Sequence, residues 1–274
     1  MKKRFVLGFF VVWSSFSFGQ SCASYKLNGD TLRYRSCLKC EEAYKHYQFS
    51  SEFQSLMDSA IVIDTSYYLP YRQKSVAYLK SGDFVTWKRL IDKAVECDEV
   101  AVLGYRASCR YQFFRDYAGC IEDIDRLDSL VAQDIGEIHN GDYHLNVIKA
   151  ISYNALGKTA KAIAVMEEHM ASDNFYPLLY DYFLLGYFYL EQENFSRAEV
   201  LFRQQQEVND IAENDYYLAR TYLLMGNREE AKIWIRSAKN KYLSQHIMYD
   251  PYTEPYGKIY LGDIDLLHDE VLSD

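Results

Sequence analysis

The chain has few helix breakers and no long apolar run beyond residue 20. Only 4 of its 274 residues are proline and 13 are glycine. Proline inside a helix removes a backbone hydrogen bond and clashes with the preceding turn, so its scarcity favours a protein that is mostly helical. No later segment approaches the roughly 20 consecutive apolar residues that a membrane-spanning helix needs. We therefore expect no transmembrane segment in the mature chain.

The motifs of common enzyme classes are also missing. The sequence has no HExxH zinc motif, no GxSxG nucleophile elbow, no Walker loop and no glycine-rich dinucleotide fingerprint. The histidines are scattered, and the group nearest to a ligand set, His139, Asp142 and His144, lacks the spacing of a metal site. The sequence therefore predicts a protein without catalytic residues, cofactor or metal, and so not an enzyme.

Basic residues form neither an excess nor a stripe along the chain. The formal net charge is −9, and an acidic protein repels nucleic acid and anionic membrane surfaces. We therefore expect no nucleic-acid partner. The charge is better explained as a contribution to solubility.

A repeated pattern organises most of the chain. Each of five copies runs from a tyrosine, through a short turn, into a second apolar stripe. The residue nine places after the tyrosine is small or apolar in every copy: Trp87, Cys120, Ala162, Ala198 and Ala231. A period of about 34 residues is typical of stacked repeats, each of which buries its hydrophobic face against its neighbours.

The residues of the fourth copy resemble the tetratricopeptide repeat (TPR), a helix-turn-helix unit of about 34 residues. The resemblance is carried by Leu185-Gly186, Tyr189, Asn194-Phe195, Ala198 and Phe202. The turn sequences of residues 81–84 and 225–228 are similar to the inter-helix turn of that family. The chain departs from the family pattern at Trp87, which fills an alanine position, and at Arg115, which replaces the turn glycine.

The resemblance implies an all-α solenoid of stacked helical hairpins over residues 34–245. We predict a degenerate first repeat followed by five clear ones, with the boundaries 34–67, 68–100, 101–142, 143–178, 179–211 and 212–245. Residues 20–33 precede the repeats, and Asn28-Gly29 within them signals a β-hairpin. Residues 246–274 follow as a C-terminal tail or capping helix.

The N-terminal residues have the composition of a secretory signal peptide. Three basic residues precede an apolar run over 5–13, and small residues follow at Ser17 and Gly19. We predict a signal peptide over 1–19 and export to the periplasm, the cell envelope or the exterior. Cys22 lies where a bacterial lipoprotein carries its acylated cysteine, but the preceding residues match a lipobox poorly, so a lipid anchor is disfavoured.

Six cysteines in an exported chain allow up to three disulfides. A hairpin before the repeats would bring Cys22 towards Cys37 or Cys40, while Cys109 either bridges to Cys120 or faces the concave side as a thiol. Cys37 and Cys40 form a CxxC motif, which also occurs in redox and zinc sites. Their spacing on one helical face favours a structural disulfide or buried thiols.

Proteins that resemble this family bind peptides or proteins along the concave face, which is lined by the first helices of the repeats. Helical phase places a set rich in apolar and aromatic side chains there: Arg72, Tyr105, Phe113, His144, Val147, Ile151, Tyr180, Phe183, Tyr187, Tyr216 and Arg220. The same phase places Asn154 and Glu213 inward. Exposed apolar patches mark binding sites and rigid aromatics serve as anchors, so we expect a protein or peptide partner with apolar or aromatic anchors.

Three alternatives stay open on the sequence alone. Residues 248–256 or the helix-like residues 264–272 can cover the concave face, because apolar inward positions fit either an external or an internal occupant. The chain can be a structural subunit of an envelope assembly. A third alternative is a thiol-redox protein that uses Cys37 and Cys40.

Overall fold

The computed structural model describes residues 22–250 and 253–273. The signal peptide predicted over residues 1–19 therefore lies outside the described residues. Within the described ranges the regular structure is helical, and pairing between extended segments is confined to one isolated β-bridge. None of the described helices combines the length and the hydropathy that crossing a bilayer requires.

The chain divides into two compact units, one ending at Cys97 and the other beginning at Asp98. The helices of the first unit are α1 Cys22–Leu27, α2 Thr31–Ala43, α3 Ser51–Ile63, α4 Tyr68–Ser81 and α5 Phe84–Cys97. Those of the second are α6 Glu99–Cys109, α7 Tyr117–Leu130, α8 Leu145–Ala155, α9 Thr159–Met170, α10 Asp181–Glu191, α11 Phe195–Val208, α12 Ala212–Leu224, α13 Arg228–Leu243 and α14 Leu261–Leu272. A π-helical turn, Arg110–Phe114, extends α6. From α2 to α13, consecutive helices pair into six hairpins.

Short polar side chains start most of the paired helices. Each accepts a hydrogen bond from a backbone N–H in the first turn, which satisfies one of the donors that a helix start leaves unpaired. The capping residues are Asp30, Ser50, Asp83, Asp98, Asp116, Asn194 and Asn227. The turns predicted inside the hairpins are formed, and Gly82 and Gly226 end α4 and α12 in the left-handed region. Arg115 takes that conformation without being glycine, with φ 52°.

The prediction of a β-hairpin within residues 20–33 is wrong. Residues 22–27 and 31–43 are helical instead, and Asn28-Gly29 forms the turn between α1 and α2, with Gly29 at φ 76°. The left-handed conformation that Asn-Gly favours serves a helix end as well as a hairpin turn. The turn was therefore predicted correctly and the flanking structure was not.

Small residues let the helices of the second unit approach closely. Ala162, Ala198 and Ala231 on the second helices are fully buried. On α10, a Cβ added to Gly186 would lie 2.9 Å from the ring of Phe202, a distance that real Cβ contacts do not reach. The positions that the repeat pattern singled out are thus the positions where two helices touch.

The long segment between α7 and α8, residues 131–144, is folded. Ile138 N–H donates to the Tyr143 carbonyl at 2.9 Å, and Leu145 N–H donates to the Gly136 carbonyl at 2.9 Å. The Ile138 and Tyr143 side chains are buried. These residues therefore extend the core of the second unit.

Candidate binding groove

In the second unit, the first helices of three successive repeats, α8, α10 and α12, share a surface. A later segment of the same chain covers it. We call this surface the groove and define it by Asn154 of α8, by Phe183, Tyr187 and Phe188 of α10, and by Glu213 of α12. Its occupant, here named the C-terminal segment, comprises residues 246–250 and 253–260, between α13 and α14. The segment contacts the groove at an aromatic site and at an ionic site.

Tyr256 occupies the aromatic site. Its ring makes edge contacts with Tyr187 and Phe188, with ring centroids 5.7 and 6.4 Å apart. Its hydroxyl accepts a hydrogen bond of 2.8 Å from Asn154 Nδ2, which also donates to Glu191 at 2.7 Å. Burial raises the pKa of Tyr256. An aromatic ring with a polar tip is thus held by both of its parts.

Glu213 forms the ionic site at the start of α12 and is 0% exposed. Oε2 accepts a hydrogen bond of 2.9 Å from Met248 N–H, and Oε1 faces Lys258 Nζ at 3.2 Å. Lys258 Nζ also donates to the Met248 carbonyl at 2.5 Å. A buried carboxylate is costly unless it is paired and hydrogen-bonded. The C-terminal segment supplies a counter-charge and one hydrogen bond, while Oε1 has no hydrogen-bond partner among the described residues.

The segment also reaches the first hairpin of the second unit. Gln112 Nε2 donates to Asp250 Oδ2 at 3.2 Å, and a guanidinium nitrogen of Arg115 donates to the Glu254 carbonyl at 3.1 Å. At the other end, Ala212 N–H donates to the His246 carbonyl at 2.8 Å. The contacts therefore run from α12 across α10 and α8 to the π-helical turn.

No family model and no curated protein matches the sequence. Solved structures do resemble it. PilW, described as a widely conserved type IV pilus biogenesis factor, has a TM-score of 0.58 at 13% identity, over 87% of this chain and 99% of that chain. The pilF protein of Pseudomonas aeruginosa has a TM-score of 0.54 at 12% identity, over 81% of this chain and 89% of that chain. YrrB, described as a TPR protein with an unusual peptide-binding site, has a TM-score of 0.53 at 16% identity, over 67% and 91%.

The chain has the TPR fold. The all-α solenoid expected from the repeat pattern is confirmed, and at these identities the likeness establishes the fold and nothing finer. The departures from the family pattern are accommodated locally. Trp87 is buried within α5 in the alanine position, and Arg115 adopts the left-handed conformation of the missing glycine.

The side chains predicted to face inward divide between the TPR core and its surface. Val147, Ile151 and Phe183 are fully buried, Tyr180 is nearly so, and Tyr187 contacts Tyr256. Tyr105, Phe113 and Tyr216 are partly buried, whereas Arg220 is exposed. The predicted set is therefore mixed: Tyr187 contacts the C-terminal segment, whereas Val147 and Ile151 are core residues.

His144 and Arg72 lie apart from the contacts with the C-terminal segment. His144 caps α8, approaches Asp134 at 2.9 Å and stacks on His169 at 4.1 Å, beside a pocket of about 350 Å³. Arg72 belongs to α4 in the first unit.

Asn154 and Glu213 also lie at inward positions by helical phase, but they are not aromatic, and the sequence does not single them out as binding residues. The available signal was a polar side chain at an inward position of an otherwise apolar face. Such a residue needs a partner when it is buried.

The cysteines oppose the redox alternative. Cys22 and Cys37 form a disulfide, with Cα atoms 5.5 Å apart, while Cys40 remains a thiol. Burial raises the pKa of Cys40 to about 12, and a protonated, buried thiol is a poor nucleophile. The bridge considered between Cys109 and Cys120 is not formed. The CxxC motif is therefore divided between a structural disulfide and a core position.

Proposed function

We propose that this protein is an exported TPR scaffold that binds a protein or peptide partner in the groove of its second unit. The observation that carries the proposal is the seating of the C-terminal segment, whose Tyr256 and Lys258 are held by specific side chains of α8, α10 and α12. A groove that holds one polypeptide segment through an aromatic anchor and an ion pair offers the contacts that a peptide ligand uses.

The C-terminal segment then acts as a built-in competitor. A short tether gives a segment an effective concentration in the millimolar range. The affinity measured for an external ligand is proportional to the fraction of molecules whose groove is open, so a small open fraction weakens binding. Wild-type protein should therefore bind its partner more weakly than a variant whose segment has been released.

Capture from the exported fraction of the native cell tests this proposal. Three full-length baits are compared: wild type, Tyr256→Ala, and Tyr256→Ala combined with Tyr187→Ala. We expect the first variant to capture more partner than wild type, and the second to lose that gain because the released groove lacks its aromatic wall. Phe183→Ala is unsuitable because Phe183 is fully buried. Circular dichroism and thermal melting control for folding, and equal capture by all three baits would contradict groove binding.

Export is part of the proposal and rests on the N-terminal residues and on the Cys22–Cys37 disulfide. Structural disulfides persist in oxidising compartments and are rare in the cytosol. Intact mass measured on protein purified from its native cell tests this point. We expect cleavage after Gly19, an oxidised Cys22–Cys37 pair and no acyl group on Cys22. A chain that retains residues 1–19 contradicts the proposal.

A further inference from the structure

We propose that the groove recognises a peptide in which tyrosine is followed, two positions later, by lysine or arginine, with a glycine between them. Tyr256-Gly257-Lys258 is then the chain's own copy of the recognised pattern. This inference rests on the proposed function and adds the chemistry of the partner. Each of the three positions is defined by a different contact.

The hydroxyl of the first residue is read by Asn154. Its Nδ2 donates to both Glu191 Oε2 and the Tyr256 hydroxyl, and the bond to the Glu191 carboxylate fixes which end of the amide faces the ring. Phenylalanine at this position would keep the contacts with Tyr187 and Phe188 but would leave the Asn154 donor with one partner fewer. A buried polar group that loses its partner is penalised, so tyrosine is favoured over phenylalanine.

The middle residue has little room and an unusual backbone conformation. Gly257 has φ 81°, where residues other than glycine are strained. A Cβ at this position would lie 3.0 Å from Cε1 and Cζ of Phe183. Because Phe183 is fully buried, its ring has little freedom to move away. The groove therefore selects glycine between the two anchors.

The third residue must carry a positive charge. Glu213 is buried and faces Lys258 Nζ at 3.2 Å. A ligand without a cation at this position would displace Lys258 and leave the carboxylate buried without its counter-charge, which is a large penalty. The acidic balance of the whole chain, −9, also favours the approach of a basic ligand.

Peptide binding to the full exported chain tests the inference. The probe is a fluorescein-labelled peptide with the sequence of residues 253–260, Thr-Glu-Pro-Tyr-Gly-Lys-Ile-Tyr, and binding to Tyr256→Ala protein is followed by fluorescence anisotropy. Four further peptides carry one change each: the tyrosine corresponding to Tyr256 becomes alanine or phenylalanine, or the lysine becomes arginine or norleucine. Norleucine keeps the aliphatic stem and removes the charge.

We expect the parent and arginine peptides to bind at least tenfold more tightly than the alanine and norleucine peptides, with phenylalanine intermediate. Wild-type protein should bind the parent peptide at least tenfold more weakly than Tyr256→Ala. Adding Glu213→Gln to Tyr256→Ala should abolish the preference for lysine over norleucine. A residue that only supported the fold would not change this preference. Circular dichroism verifies that each variant is folded.

Two results would overturn the inference. Equal binding of all the peptides would show that the groove accepts a segment without this pattern, and the proposed function would stand if capture still depended on Tyr187. Absence of binding by every peptide would also reject it, again independently of the capture experiment.

Discussion

Asp181, at the start of α10, is a fully buried carboxyl group whose two oxygens are treated differently. Oδ2 accepts a hydrogen bond of 2.9 Å from Leu178 N–H, whereas Oδ1 has no hydrogen-bond partner among the described residues. Burial raises the pKa of Asp181 from 3.8 to about 6; the Leu178 bond opposes this rise and the charge of Glu137 adds to it. The native state therefore retains a proton that the unfolded chain releases between about pH 4 and 6. Stability contributed by this group is lost as the pH rises through that window.

We expect Asp181→Asn to remove this loss, because the amide keeps an acceptor for Leu178 N–H and cannot ionise. Relative to wild type, the variant should gain roughly 1–3 kcal/mol of unfolding free energy on going from pH 4 to pH 7. Urea unfolding at both pH values measures the change. A wild-type-to-variant difference that is the same at pH 4 and pH 7 would refute the assignment.

His169 has the opposite pH dependence. Burial and the charge of the stacked His144 together lower its pKa to about 4, and Asp134 acts against both. Between about pH 4 and 6.5 the unfolded chain binds a proton that the native state excludes, so stability from His169 is present above this window and is lost as the pH falls through it.

We expect His169→Phe to remove this acid-induced loss while keeping an aromatic ring against Phe175. The slopes from Asp181 and His169 oppose each other over about pH 4 to 6. The double variant should therefore follow wild type in its pH dependence more closely than either single variant does. Urea unfolding at half-unit intervals of pH gives the slope of the unfolding free energy against pH. The prediction would be contradicted if both single substitutions changed this slope in the same direction relative to wild type.

At the residue scale, the sequence predicts which face a side chain occupies but not what covers that face. Helical phase placed Tyr187, Asn154 and Glu213 inward, and all three contact the C-terminal segment. Their partners Tyr256 and Lys258 are far away in the chain. Periodicity describes one helix at a time, so it contains no information about a contact between residues separated by such a distance.

At the scale of one element, the C-terminal segment packs against the groove at Gly257, which lies close to the ring of Phe183. Gly257→Ala combines backbone strain with a clash against Phe183, whereas Gly226→Ala carries strain alone, since Gly226 has φ 78° and open space around its Cβ position. Strain of this kind costs about 1 kcal/mol. We expect amide hydrogen exchange in residues 253–260 to accelerate in the Gly257 variant only. Equal acceleration in both variants would exclude a specific role for the Phe183 contact.

The Cys22–Cys37 disulfide joins α1 to α2 in the first unit, across a sequence separation of 15 residues. Cross-linking a loop of this length stabilises a fold by about 3 kcal/mol in the chain-entropy model. We expect Cys22→Ser with Cys37→Ser to lower the unfolding free energy of the first unit by an amount of this order, and reduced wild type to behave alike. Cys97→Ser, at a partly exposed thiol outside the disulfide, is the matched control. Site-resolved hydrogen exchange in α1 and α2 provides the readout, and unchanged protection would count against the expectation.

At the element scale, the helices from α4 to α13 were predictable because their apolar period of 3.6 residues repeats with their turns. The segment before the first repeat was not. Asn28-Gly29 supports a left-handed turn in either a helical or an extended context. A six-residue helix such as α1 also offers too few turns for its period to be recognised.

At the scale of the whole molecule, α14 covers α13, the last helix of the repeats. It packs on α13 and buries Ile264, Leu267 and Val271. Arg228 of α13 donates to the carbonyls of Glu270 and Ser273 at the end of α14. Terminal caps of this kind keep repeat proteins soluble, because an uncapped repeat exposes an apolar face.

We therefore expect a chain ending at Tyr260, which lacks α14 but keeps the C-terminal segment, to self-associate, with a larger mass by light scattering than full-length protein at equal concentration. Leu266→Ala, at an exposed position of α14, should leave the mass unchanged. A truncated chain that remains monomeric would show that α14 is dispensable as a cap.

The stacking of the repeats was the most predictable property of the molecule, since one pattern recurs along most of the chain. The occupancy of the groove was the least predictable. Apolar inward residues suit an external peptide and an internal segment equally, and the sequence left both open. The structure supplies the deciding observation, the burial of Glu213 between Met248 and Lys258.

The C-terminal segment is synthesised after the helices that form the groove. Residues 246–260 follow every helix that lines the groove, so they leave the ribosome after those helices. During this interval the aromatic and ionic sites exist before their internal occupant does. A ligand present in the compartment where the chain folds meets the groove without a competitor, and a ligand that arrives later has to displace the segment.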